Sequence, residues 1–258
     1  MHQKLKNQLS IIVFICFGVF LLHNQKLSVT DPENTYPKRI RRAFRLWINP
    51  PKSELEKHLI GKDIVCENRN ELYKIVASAT VLIKTYQGLG AGVFVRPNLV
   101  ATAAHVVNSN QFEIYLSSVE EEFLAKPDRQ ISFRNVIRIK GLDLAFIITI
   151  DGNSSWLNLE RDFNNDENLI VVGHPNGKYY SLQKARIKKK TKIRRSNYIY
   201  FKDNEIFFGN SGGAIVSCNG NLVGIVSMMD SYDNSLHKQG IGINSITVER
   251  YIEKLGLG

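Results

Sequence analysis

From about residue 71 onward the chain is a succession of short apolar runs punctuated by glycine, asparagine, aspartate and proline. The runs IVASATVLIKT, GVFVRP, FEIYLS, ISFRNVIRIK, LAFIITI, NLIVVG, YIYF, GAIVS and NLVGIVS are rich in β-branched and aromatic side chains, which suit a pleated, half-buried surface. No long helical pattern separates them, so the spacing predicts an all-β barrel or sandwich. At the end, Val248, Tyr251, Ile252 and Leu255 share one helical face and Gly256 follows, which predicts a helix over 247–255. A chain of 258 residues can bury one large or two small cores, and 43% hydrophobic with 22% charged residues excludes disorder throughout.

Upstream the character differs. Residues 1–8 carry Lys4 and Lys6, and LSIIVFICFGVFLL at 9–22 is apolar except for Ser10 and Gly18. Its length suits a signal-peptide core or a short anchor better than a full span. HNQKLSVTDPEN, which follows, offers no small-x-small cleavage site, and this favours an uncleaved hydrophobic helix over 9–23.

Residues 24–70 read as a basic linker. Within PKRIRRAFRLWINPP at 37–51, Ile40, Phe44, Trp47 and Ile48 fall on one helical face and arginines mostly on the other, a pattern that suits membrane headgroups or docking on the protein's own body. Ser53 with Glu56, ahead of Leu59, reads as a capping box.

The formal charge of +10 favours anionic partners. Eight of the twelve residues of KARIKKKTKIRR at 184–195 are basic, and Ala185, Ile187, Thr191 and Ile193 alternate with them, as in a hairpin with one face on a barrel. The stretch reads as a solvated face or as a grip on anionic lipid or acidic substrates. Nucleic acid is disfavoured, because no aromatics are interleaved. Of three cysteines, Cys16 lies in the apolar segment, leaving at most one bridge between Cys66 and Cys218; two buried free thiols is the preferred reading.

Three segments carry candidate chemistry. In FFGNSGGAIVS, Ser211 stands among Gly209, Gly212 and Gly213, which alone would suit a turn before a strand. His105 in LVATAAHVV meets a turn of small residues and alone would suit a core histidine. Asp143 in KGLDLAFIITI precedes a buried run, where a carboxylate needs a partner or faces solvent in a turn. A serine hydroxyl becomes nucleophilic only when a base takes its proton and a third group orients that base.

Taken together, TAAHV, DLA and GNSGG, in the order His105, Asp143, Ser211, resemble the triad segments of trypsin-like (chymotrypsin-fold) serine proteases. GLGAGVFV, VVGHPNG and GIGINSI are similar to segments of the HtrA/Deg-like branch. The resemblance covers about residues 72–256, so 71–258 is expected to be one protease domain.

It implies two six-stranded antiparallel β-barrels with a C-terminal helix and a peptide or protein substrate, with no cofactor or metal. It also implies roles: His105 as base and acid, Asp143 as its orienter, Ser211 as nucleophile, and an oxyanion hole on the Gly209–Asn210–Ser211 turn, from the N–H groups of Gly209 and Ser211. Asn210 stands where digestive members carry an aspartate, so activity without propeptide cleavage is expected. No PDZ module is expected after the last helix. Phe207 and Phe208 are expected to alter the substrate pocket wall. A membrane-associated or secreted, extracytoplasmic location is favoured; a catalytically silent binding module at a membrane surface, and an esterase, are the alternatives.

Overall fold

The computed structural model describes residues 59–60, 66–67, 69–109, 111–118, 125–164, 168–193, 195–201, 208–230 and 239–258. The expected hydrophobic helix at 9–23, the basic helix at 37–51, the Ser53–Glu56 box and Phe207 lie outside them.

A two-residue strand β1 (Leu59–Ile60) precedes helix α1 (Arg69–Ala79). The strands β2 (Thr80–Thr85), β3 (Gly88–Arg96), β4 (Leu99–Thr102), β5 (Phe112–Ser118), β6 (Lys126–Ile131), β7 (Phe133–Arg138) and β8 (Ala145–Thr149) form a curled antiparallel sheet ordered β6-β5-β2-β3-β4-β8-β7. A second sheet uses β9 (Leu169–Gly173), β10 (Ser181–Ala185), β11 (Ile187–Ile193), β12 (Ser196–Phe201), β13 (Ala214–Val216), β14 (Leu222–Asp230) and β15 (Gln239–Asn244). Its order is β1-β10-β9-β13-β14-β15-β12-β11, with β1 added in parallel to β10.

The continuous apolar runs have a simple cause: successive side chains point to opposite faces of a strand, and here both faces are buried. Phe94 of β3 enters the core of the first sheet with Val81, Val100 and Ile147, while Val93 and Val95 enter a core shared with the second sheet. On β9 and β13, Val171 and Ile215 face the interior of the second sheet, and Ile170, Val172, Ala214 and Val216 face the shared core. Two half-barrels are thus packed through a common apolar layer.

All-β architecture with a closing helix matches the expectation, but the sheets hold seven and eight strands rather than six. Strand β6 has the sequence KPDRQI and five of its six side chains are not fully buried, so apolar periodicity does not reveal it. Polar side chains at a sheet edge are a common protection against pairing with another chain. IVASATVLIKT is also not one strand. Its first five residues end α1, which buries Leu72, Tyr73, Val76, Ala77 and Ala79; this helical spacing, completed by the preceding Leu72 and Tyr73, overrides the β propensity of Ile75 and Val76.

The final helix α2 (Ser245–Lys254) is capped by the Asn244 side chain, which accepts from Ile246 N–H, and ends at Gly256 with φ 63°. Val248 and Ile252 are buried as expected, whereas Leu255 is exposed. In the basic stretch Ala185 and Ile187 are buried, but a bulge between Ile187 and Lys189 breaks the alternation and leaves Ile193 exposed. The pairing mate of β11 is β12, outside the basic stretch.

Cys66 and Cys218 form a disulfide with Cα atoms 5.4 Å apart, which corrects the preference for free thiols. Nothing local marks this pairing, since 152 residues separate the two cysteines and only the fold brings the segment before α1 to the β13–β14 turn. Among the described residues no helix is long and apolar enough to cross a membrane.

Candidate active site

His105 and Asp143 meet because their strands are neighbours. In the antiparallel pair β4–β8, Thr102 stands opposite Ala145, so the chain leaving β4 and the chain entering β8 share one end of the sheet. His105 lies in a tight turn closed by Val106 N–H to Ala103 O (3.1 Å) and Val107 N–H to Ala104 O (3.2 Å). Asp143 lies in a turn tied by Leu142 N–H to Ile139 O (3.1 Å) and Ile139 N–H to Leu144 O (2.9 Å).

The carboxylate grips the histidine twice. Asp143 Oδ1 accepts the His105 backbone N–H at 2.9 Å, and Oδ2 lies 2.9 Å from Nδ1 of the ring. The Ser227 hydroxyl donates to the same Oδ2 at 2.6 Å. Burial by itself would raise the Asp143 pKa, but the hydrogen bonds from His105 and Ser227 and the attraction of the imidazole outweigh it and hold the carboxyl below its ordinary value. An ionised carboxylate only accepts, so the ring donates to it through Nδ1, and Nε2 is left facing away from Asp143. The imidazole is 46% exposed and the carboxylate only 12%, so the ring is reachable while its partner is shielded.

Ser211 is half-buried on a turn that leads into β13. The turn is held by its carbonyls: Phe208 O accepts from Asn176 N–H (3.0 Å), Gly209 O from His174 N–H (3.0 Å), Asn210 O from Gly213 N–H (2.8 Å) and Ser211 O from Ala91 N–H (2.8 Å). In a planar trans peptide the C=O and the following N–H point in opposite directions. Binding the carbonyls of Phe208 and Asn210 therefore turns the N–H groups of Gly209 and Ser211 away from the protein partners. Among the described residues neither N–H donates to a backbone acceptor.

All three glycines of the turn are compulsory, and at Gly213 a Cβ would stand 2.1 Å from Val172 O. Gly209 has φ 97°, and a Cβ would stand 2.2 Å from His174 O; Gly212 has φ 80°, and a Cβ would stand 2.1 Å from Ala91 O and 2.2 Å from Thr102 Oγ1. The Gly212 contact presses the serine turn against β3 and β4, close to the strand end from which His105 departs. Gly212 N–H also bonds Val226 O (2.7 Å), next to Ser227, so the three predicted segments and β14 converge.

Sequence reasoning missed Ser227, whose signal was one hydroxyl in the apolar run NLVGIVS. It also missed the turn at 174–177 as the support of the serine turn, and Gln183, whose Oε1 accepts from Asn210 Nδ2. Phe208 is 70% exposed at the mouth of that turn. Among the described residues no cluster of His, Cys, Asp or Glu could hold a metal ion.

A curled pair of antiparallel half-barrels with a shielded aspartate holding a reachable histidine and a glycine-bound serine at their junction defines the chymotrypsin-like class. The family model for the trypsin-like peptidase domain matches residues 90–225, more than half of the chain, and the chain belongs to that family of serine endopeptidases. No curated protein matches the sequence. Among solved structures, the inactive form of the Rv3671c protease of M. tuberculosis is similar at TM-score 0.59 and 19% identity, over 73% of this chain and 94% of that one. Its active form is similar at TM-score 0.60 and 20% identity, over 73% and 85%. The serine endoprotease from Yersinia pestis is similar at TM-score 0.57 and 21% identity, over 72% and 65%.

Proposed function

We propose that the chain hydrolyses peptide bonds through an acyl-enzyme, with His105, Asp143 and Ser211 as the triad. Ser211 Oγ attacks the scissile carbonyl carbon and passes its proton to His105 Nε2. The N–H groups of Gly209 and Ser211 hold the resulting oxyanion. His105 then protonates the leaving amine, and water, deprotonated by His105, releases the acyl group. The observation that carries this reading is the double grip of Asp143 on His105, which supports Nδ1 as the donor to the carboxylate and Nε2 as the base. A fluorophosphonate probe should label Ser211, and Ser211→Ala and His105→Ala should abolish labelling. No labelling of folded protein between about pH 6 and 9, the range around histidine titration, would sink the triad.

Asn210 supports activity without a cleaved propeptide, because its buried amide is matched by the neutral amide of Gln183 rather than by a cation. The HtrA/Deg-like assignment draws support from the placement of its quoted segments on β3, on the 174–177 turn and on β15. An extracytoplasmic location agrees with the Cys66–Cys218 disulfide, since such bonds persist in oxidising compartments.

A second reading concerns an anionic membrane surface. The edge strand β11 exposes Lys188, Lys189 and Lys192, with Arg186 beside them. Together with the basic helix expected at 37–51, this strand would hold the domain on acidic lipid. Binding to phosphatidylserine vesicles should weaken in a variant with these three lysines changed to glutamine; equal binding would refute the role of β11.

A further inference from the structure

We propose that Gln183 is a positioning residue for the oxyanion turn, acting through Asn210; this rests on the triad reading above. Asn210 lies between the two N–H groups that would meet the oxyanion. Its side chain is fully buried, and so is that of Gln183 apart from 2%. Asn210 Nδ2 donates to Gln183 Oε1, while Asn210 Oδ1 has no hydrogen-bond partner among the described residues. A buried amide needs its bonds made, and among the described residues the bond this side chain makes is the one to Gln183.

The backing of Asn210 leaves little freedom. A Cβ on Gly173 would stand 2.7 Å from Asn210 Oδ1 and 2.9 Å from its Cα, so the side chain lies close against the end of β9. Gln183 reaches it from β10, where it pairs with Val171. On the same face of β10 the neighbours are Ser181 and Ala185, both buried, and glutamine is seldom found fully buried. Among the described residues the Gln183 side chain bonds to Asn210 alone, and that bond calls for an amide where an apolar residue would serve to fill space.

The consequence falls on the next peptide. Asn210 O is tied to Gly213 N–H, and the same planar unit carries the N–H of Ser211. A side chain anchored at Gln183 therefore fixes the direction of one oxyanion donor. Without an acceptor, Asn210 Nδ2 would be buried unpaired, and rotation of Asn210 would relieve this at the expense of that direction.

The test uses the whole chain with Gln183→Met, which keeps the volume and removes the acceptor, and Gln183→Glu, which restores an oxygen there. In Q183M we expect kcat to fall about tenfold or more, short of the ~10²–10³ for outright loss of an oxyanion donor, with KM nearly unchanged. Q183E should recover most of the loss, which a merely space-filling role would not produce.

Amide exchange followed by NMR reads the same device without catalysis. The amides of Gly212 and Gly213, bonded to Val226 O and Asn210 O, should exchange faster in Q183M and return towards wild type in Q183E. If Q183M does not fold, Gln183→Asn, which retracts the amide by one methylene, carries the same expectations. Wild-type kcat in the variant, or unchanged exchange at Gly212 and Gly213, overturns the proposal. A wild-type chain that neither turns over peptides nor takes a fluorophosphonate refutes the triad reading instead, and exchange still decides the role of Gln183.

Discussion

At Asp143 three donors converge on one carboxylate: the His105 amide, the His105 ring and the Ser227 hydroxyl. The folded pKa lies below the ordinary value, so the stabilisation this group supplies is present above the unfolded carboxylate pKa of about 4 and fades as pH falls through the folded value. The stability gap between wild type and Asp143→Asn, measured by urea unfolding, should therefore narrow on acidification below about pH 4; a gap constant from pH 7 to pH 2 would contradict it. Asp143→Asn should also lower kcat by roughly 10⁴, because an amide in place of the carboxylate favours the wrong imidazole tautomer. Ser227→Ala removes one donor from Oδ2, so the Asp143 pKa should rise relative to wild type, read by NMR titration of the carboxyl. His105, Asp143 and Ser211 stood out in the sequence because their settings are locally odd: a histidine after small residues, an acid before a buried run, a serine among glycines. Ser227 and Gln183 were hidden because each is a single polar residue in a strand, and their partners are distant in the chain.

The serine turn and its supports form the next scale. Gly212→Ala would force a Cβ into Ala91 O and Thr102 Oγ1 at a φ that alanine avoids, displacing the turn from β3. A fall in kcat of about 10²–10³, with the protein still folded by circular dichroism, is expected if the oxyanion donors move with it; wild-type kcat would show that the turn tolerates the shift. At the other end, Asn244→Ala deletes the cap of α2 and should cost about 1 kcal/mol in urea unfolding. Elements were legible where burial is simple. Strands β3, β8, β9, β13 and β14 are buried on the faces that apolar runs report, whereas β6 is polar at an edge and α1 begins as a helix before a run that reads as strand.

For the whole molecule, the Cys66–Cys218 bond closes a loop of 152 residues, for which the chain-entropy model gives about 5 kcal/mol. Replacing both cysteines by serine should lower Tm by about 10–20 °C, as 1 kcal/mol shifts a domain of this size by about 2–4 °C. An unchanged Tm in calorimetry would mean that the bond carries no load. The sequence by itself determined the all-β class, the closing helix and the three segments that hold His105, Asp143 and Ser211, because strand periodicity, turn residues and local motifs act over a few neighbouring positions. Only the tertiary structure decided the strand count, the disulfide, the third donor on Asp143 and the amide pair behind the serine turn. Each of these joins residues far apart in the chain, and no local preference in a sequence reports which distant partner a side chain will meet once two sheets pack together.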